Sequence, residues 1–195
     1  PYENCERYNS LPKSIKFMIR DQLNDYRGMF DFINKKYKSL DVFYDYVIGG
    51  YLQNTSLVLK YFPELLTHKP PDRYGPCVPL IKSVISGDYY MSKLLLEHGA
   101  DVNAKDSLER AAIVYAVEYK QGRILRLLLE YGADVNTTHP YTGKTLLYIC
   151  IEKHYSTLAK ILLGFGADAS RKDNTGCTPI LLATYIGWYD MVSLL

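Results

Sequence analysis

The 195-residue chain has little of what a catalytic or metal-binding protein needs. It has four cysteines, at positions 5, 77, 150 and 177, and four histidines. No cysteines stand at C-x-x-C spacing and no histidines form a zinc-type pair, so neither a structural zinc site nor a dithiol redox motif is indicated. An excess of one charge is also missing. The 23 Lys and Arg face 21 Asp and Glu, a net charge of +2, which gives no electrostatic case for nucleic acid or a membrane surface. There is no secretory leader and no apolar run of about 18 residues that could cross a bilayer. The phosphate-cradling, zincin and nucleophile-elbow motifs are all absent. Asp101-Val102-Asn103-Ala104-Lys105 begins like a calcium loop but lacks the required glycine and terminal glutamate. Lys35-Lys36-Tyr37-Lys38 is a short basic run that reads as a solvated helix face. No catalytic residue, cofactor or metal ligand is therefore assigned, and an enzyme is not expected. Free thiols fit a cytoplasmic or nuclear location.

What is present is ordinary in bulk and unusual in pattern. The chain is 48% hydrophobic and 23% charged, with 19 tyrosines. Tyrosine combines a large contact area with a polar tip, which suits a binding surface as well as a core position. One phrase occurs three times: Leu94 to Asn103, Leu127 to Asn136 and Ile161 to Ser170. The first two read Leu-Leu-Leu-Glu-x-Gly-Ala-Asp-Val-Asn, and the third keeps the Gly-Ala-Asp. The Asp of each copy falls at 101, 134 and 168, steps of 33 (134 − 101) and 34 (168 − 134). A fixed period of about 33 marks a stacked helical repeat. In each copy the leucines close a helix on its neighbours. Gly132 ends that helix in the left-handed conformation, and Asp134 and Asn136 are placed to bond the backbone of the turn beyond.

The phrase and its period resemble the ankyrin repeat. The resemblance implies an all-α solenoid of helix-turn-helix units, joined by short β-hairpin fingers. Repeats are expected at 75–104, 105–136, 137–169 and 170–195, the last one truncated. Gly176-Cys177-Thr178-Pro179 opens the best-matching unit, with Thr178 as helix cap and Pro179 in the first turn. In 105–136, Ala111-Ala112 replaces the usual Thr-Pro and loses the hydroxyl cap. Lys120 and His154 replace the glycine that usually ends the first helix. Cys150 takes a small buried position and reads as a core thiol. Residues 41–74 resemble a degenerate repeat when Gln53 is set against Gly87, with Gly49-Gly50 at the small positions and Pro63 stopping the second helix. The finger of that unit would run from His68 to Tyr74. Residues 1–40 read as an N-terminal helical segment or cap. A solenoid needs capped ends, so further repeats or another domain are expected to follow in a longer protein.

The family binds proteins through the concave face of the array. That implies a non-catalytic interaction module or adaptor with a protein partner. The alternatives are the substrate-recognition subunit of a cullin-type ubiquitin ligase, with a SOCS-box or F-box and ligase subunits outside this chain, and the cytosolic array of a membrane protein. Carried onto this sequence, the partner-binding positions are Ser107, Leu108, Arg110, Tyr141 and Lys144 on the fingers, with Tyr119, Lys153, Tyr185 and Trp188 on or after the first helices. Tyr119, Tyr141, Tyr185, Trp188 and Arg110 are favoured, because aromatic and arginine side chains carry most interface energy. Each of them could equally be a packing residue. The resemblance also implies Asn103 and Asn136 as candidate acceptors for an oxygen-dependent asparaginyl hydroxylase.

Overall fold

A computed structural model of the chain describes residues 36–67 and 78–195. Residues 1–35 of the expected 1–40 cap and the finger from His68 to Tyr74 lie outside the described residues. Ten α-helices occur among the described ones. They are α1 (Lys36–Ile48), α2 (Leu52–Tyr61), α3 (Pro79–Ile85), α4 (Tyr89–Glu97), α5 (Ala112–Glu118), α6 (Gly122–Glu130), α7 (Leu146–Glu152), α8 (Ser156–Gly164), α9 (Pro179–Tyr185) and α10 (Tyr189–Val192). A short 3-10 helix, Pro63–Leu66, follows α2.

The helices pair as hairpins, α3 with α4, α5 with α6 and α7 with α8, and the pairs stack into two layers. First helices contact first helices along α1, α3, α5, α7 and α9. Second helices contact second helices along α2, α4, α6 and α8. The reason is visible at one register position. Ser83, Ala116, Cys150 and Ala183 are fully buried where first helices meet, and only small side chains let helix backbones approach so closely. Ser83 is polar but satisfied: its hydroxyl donates to the Leu80 carbonyl at 2.8 Å and pairs with the Ser92 hydroxyl at 2.8 Å. Leu95, Leu128 and Leu162 fill the matching second-helix position with no exposure. Burying one such leucine contributes about 1.5–3 kcal/mol, which no single hairpin could gain alone.

Helix starts follow the sequence. Thr145 Oγ1 accepts from Tyr148 N, and Thr178 Oγ1 accepts from Leu181 N. Ala111 makes no side-chain cap. Helix ends follow it too: Gly99, Gly132 and Gly166 close the second helices with φ of 88°, 85° and 83°. Gly87 and Gly187 close first helices with φ of 73° and 71°, while Lys120 and His154 hold the same place at 59° and 56°.

Three expectations change. Gly50 has φ of 71° and precedes α2 as Gly87 precedes α4. The glycine pair therefore ends a first helix rather than supplying its small positions, and the register that set Gln53 against Gly87 is displaced. The buried Thr55, whose hydroxyl donates to Tyr51 O, then matches the buried Ser92, which donates to Asp88 O. Secondly, α1 runs through residue 40, so the division between 1–40 and 41–74 falls inside a helix. Thirdly, the β-hairpin character of the described fingers is minimal. Each of two is closed by a single antiparallel bridge, Lys105 with Ala111 and Thr138 with Thr145, and turns fill the rest.

Candidate partner-binding face

The candidate face is made up of the fingers and the exposed side of the first helices. Its geometry is set by two kinds of internal clamp. The first joins finger to finger. Asn103 Oδ1 accepts from Asp134 N at 3.0 Å, and its Nδ2 donates to Gly132 O at 3.2 Å. Asn136 Oδ1 accepts from Asp168 N at 2.8 Å. Each aspartate in turn accepts from the amide two residues on, Asp101 from Asn103, Asp134 from Asn136 and Asp168 from Ser170. Bonds from the Ser170 hydroxyl and amide hold the Asp168 carboxyl below its usual pKa range. Hydroxylation of Asn103 or Asn136, as the resemblance implies, would require these amide ties to open first.

The second clamp joins finger to first helix. The Asp106 carboxylate is buried and accepts from Leu108 N and Arg110 N at 2.8 and 3.0 Å. It also accepts from the Tyr115 hydroxyl, which itself accepts from Arg110. The Arg110 guanidinium lies 4.4 Å from the centre of the Tyr115 ring and 3.5 Å from Glu118 Oε2. One repeat later, Lys144 Nζ meets Glu152 Oε1 at 2.6 Å and lies over the Tyr148 ring. In the last unit Asp173 plays the part of Asp106. It accepts from Thr175 Oγ1, Thr175 N and Cys177 N, and the Thr175 hydroxyl is the main cause of its lowered pKa.

These clamps sort the expected partner-binding residues. Tyr119, Tyr141 and Tyr185 project, with 53, 69 and 90% of their surface exposed. Leu108, Ser107 and Lys153 are exposed beside them. Arg110 and Lys144 are largely shielded, at 20 and 26% side-chain exposure, and hold finger to helix. Trp188 is half-buried, with its ring 5.1 Å from that of His154 in the preceding repeat, so it packs one turn on the next. Tyr119 stacks on Tyr115 with ring centres 6.4 Å apart and planes 15° from parallel; Tyr141 lies against His139. The sequence reading did not single out Asp106, Tyr115 or Asp173. Their signal was there: Asp106 and Asp173 each fall shortly before a first helix, two repeats apart. An aspartate in a surface turn gives no hint of burial by its type alone.

The described residues contain no cluster of metal-ligating side chains. Among them no helix is long and apolar enough to cross a membrane. Cys150 is fully buried, and burial pushes its thiol up to about 12, far from a nucleophile's range.

Comparison with known proteins gives the same reading as the geometry. A family model described as ankyrin repeats (three copies) matches residues 55–139. A protein of Rickettsia bellii (strain RML369-C) named for its ankyrin repeats is 30% identical over 117 residues. That match covers 60% of this chain and 65% of the relative, so the chain spans less than two thirds of that protein's length. With hairpin pairs in two layers, the Gly-Ala-Asp turns in register and an ankyrin-repeat model matching residues 55–139, the chain folds as an ankyrin-repeat array.

Proposed function

We propose that this array is a non-catalytic adaptor that holds a protein partner against its fingers and first helices. One observation carries the reading: Tyr119, Tyr141 and Tyr185 stand exposed on a frame in which Asp106, Arg110 and Lys144 are clamped internally. Large exposed aromatics on a rigid support lose little side-chain entropy on binding and bury much area, which makes them effective anchors. Ankyrin repeats are in general protein-interaction folds, which supports a protein as the ligand of this surface. The test is capture from the native cells with the wild-type array and with a Tyr119→Ala/Tyr185→Ala variant. A partner should be retained by the first, and the pair of substitutions should weaken its binding by well over a factor of ten, about 1.4 kcal/mol. The thermal melt should stay within a degree or two, since both rings are exposed. Equal capture by both proteins would remove this face as the site. Ligase subunits among the captured proteins would identify the adaptor as a substrate receptor.

A further inference from the structure

The second-helix layer carries a hollow that the stacking does not require. Second helices open on a side chain at their first position: Tyr89 in α4, Ser156 in α8 and Tyr189 in α10. In α6 that position is Gly122. Its backbone is helical, so no left-handed conformation calls for glycine. A Cβ there would meet Leu158 Cδ2 at 3.4 Å and Ile161 Cδ1 at 3.6 Å, ordinary contact distances. Alanine would fit, so the packing alone does not account for the glycine. Its effect is to open a hollow of about 480 Å³ between α6 and α8, extending to Tyr89 of α4.

The floor of the hollow is apolar, built from Leu127 and Ile161. Its charged lining is two arginines, Arg123 and Arg126, against one acid, Glu130. The Arg123 guanidinium sits 4.8 Å from the centre of the Tyr89 ring, held over the mouth. Arg126 stands one turn on, exposed. Neither guanidinium makes a salt bridge among the described residues. Arg126 occupies the register of Lys93 in α4 and Lys160 in α8, so adjacent second helices each present a cation at this level. Lys93 is paired with Glu97 at 3.7 Å. The matching acid of α6 is Glu130, and α8 has Gly164 there instead. The cations around the hollow thus outnumber the acids.

We propose that this hollow is a second docking site, for a short acidic segment of a protein partner. One apolar side chain of the segment rests on Leu127 and Ile161. Carboxylates on either side pair with Arg123 and Arg126, whose planar forks match carboxylate geometry. Thr157 offers a hydroxyl at the rim. The site is lined by residues of the second helices and by none of the exposed tyrosines Tyr119, Tyr141 and Tyr185, so the array would hold two different protein surfaces at once. It is independent of the adaptor reading above.

The probe is a fluorescein-labelled twelve-residue peptide with acidic residues on both sides of a central leucine. Controls carry lysine for each acid, or serine for the leucine. Fluorescence anisotropy should show saturable binding of the acidic peptide, at least tenfold weaker for each control. Arg123→Glu/Arg126→Glu, on an exposed face, should reduce affinity at least tenfold. Gly122→Leu, which fills the hollow and leaves both arginines, should reduce it at least fivefold. Tyr119→Ala/Tyr185→Ala should leave it unchanged. No saturable binding by well-folded wild-type protein overturns the proposal. So does loss through the arginines with none through Gly122→Leu, because the peptide would then lie on the open charged face. Full competition by millimolar inorganic phosphate also overturns it, since the site would be a general anion site.

Discussion

Glu109, Lys120 and His154 are the described non-glycine residues with positive φ, at 58°, 59° and 56°. Glu109 shares its finger position with Gly143 and Gly176, which have φ of 65° and 83°. A left-handed L-residue costs about 1–2 kcal/mol, and glycine returns about 0.4–1 kcal/mol of that through the entropy of the unfolded chain. Glu109 has only an exposed ion pair with Lys105 to lose, and such pairs contribute little. Glu109→Gly should therefore stabilise the array by about 0.5–1 kcal/mol, read as a raised urea midpoint with unchanged slope. Lys120→Gly should come out close to neutral, because the Lys120 ammonium lies 4.6 Å from the Tyr155 ring centre and that attraction is lost. A second outcome at this scale concerns Cys150. A buried thiol raised to about 12 is protonated at neutral pH. Peptide-resolved iodoacetamide labelling should leave Cys150 unmodified in native buffer and modify it in denaturant. Labelling in native buffer would show that the helix around it opens.

At the scale of the element, the fingers depend on side chains more than on strand pairing. With one bridge at the base of each of two fingers, the Asn103 and Asn136 amides take over the alignment. Asn103→Ala removes two bonds to the next repeat and leaves the Asp134 amide to water. It should cost about 0.5–1 kcal/mol, the low end for two bonds because both are exposed, seen in a urea melt. It should also speed hydrogen exchange at Asp134 and Ala133. The helices were legible in the sequence because Leu94 to Gly99 and its copies fix where a second helix ends, and Thr178-Pro179 fixes where a first helix starts. The first unit was less legible. Gly49-Gly50 could mark a small helix position or a helix end, and only φ at Gly50 separates them. The candidate site was half legible. Tyr185 and Tyr141 could be placed on the exposed side by register alone. Arg110 could not be seen as a clamp, because its partners Asp106 and Tyr115 lie close in sequence but converge only when the finger folds back.

For the whole molecule, stability follows from stacking, and its pH dependence follows from the turns. Asp168 and Asp173 have carboxyls held below their ordinary range by hydroxyl and amide bonds. A depressed carboxylate contributes stability that is fully present above its unfolded pKa, about 3.9, and is lost as pH falls through the folded value. The array should thus be insensitive to pH near neutrality and lose stability on acidification below roughly pH 4. Asp173→Asn should flatten that acid limb in thermal melts taken at successive pH values, and an unchanged limb would assign it to other carboxylates.

The asparagine ties all run one way, from the turn of one repeat to the turn of the next. At Ser170 the side chain bonds back to its own Asp168 instead. The surface carrying Tyr119 and Tyr141 is therefore braced like a beam with cross-members, and the stretch carrying Tyr185, with no asparagine tie beyond Ser170, hangs from its helix packing, the Asn174 bonds to Tyr141 and Thr142 and the Arg171 bond to Asn136. Elastic compliance is unevenly distributed along the candidate face. A ligand that spans all three tyrosines would meet a stiff end and a yielding end, and would bend the yielding one to fit.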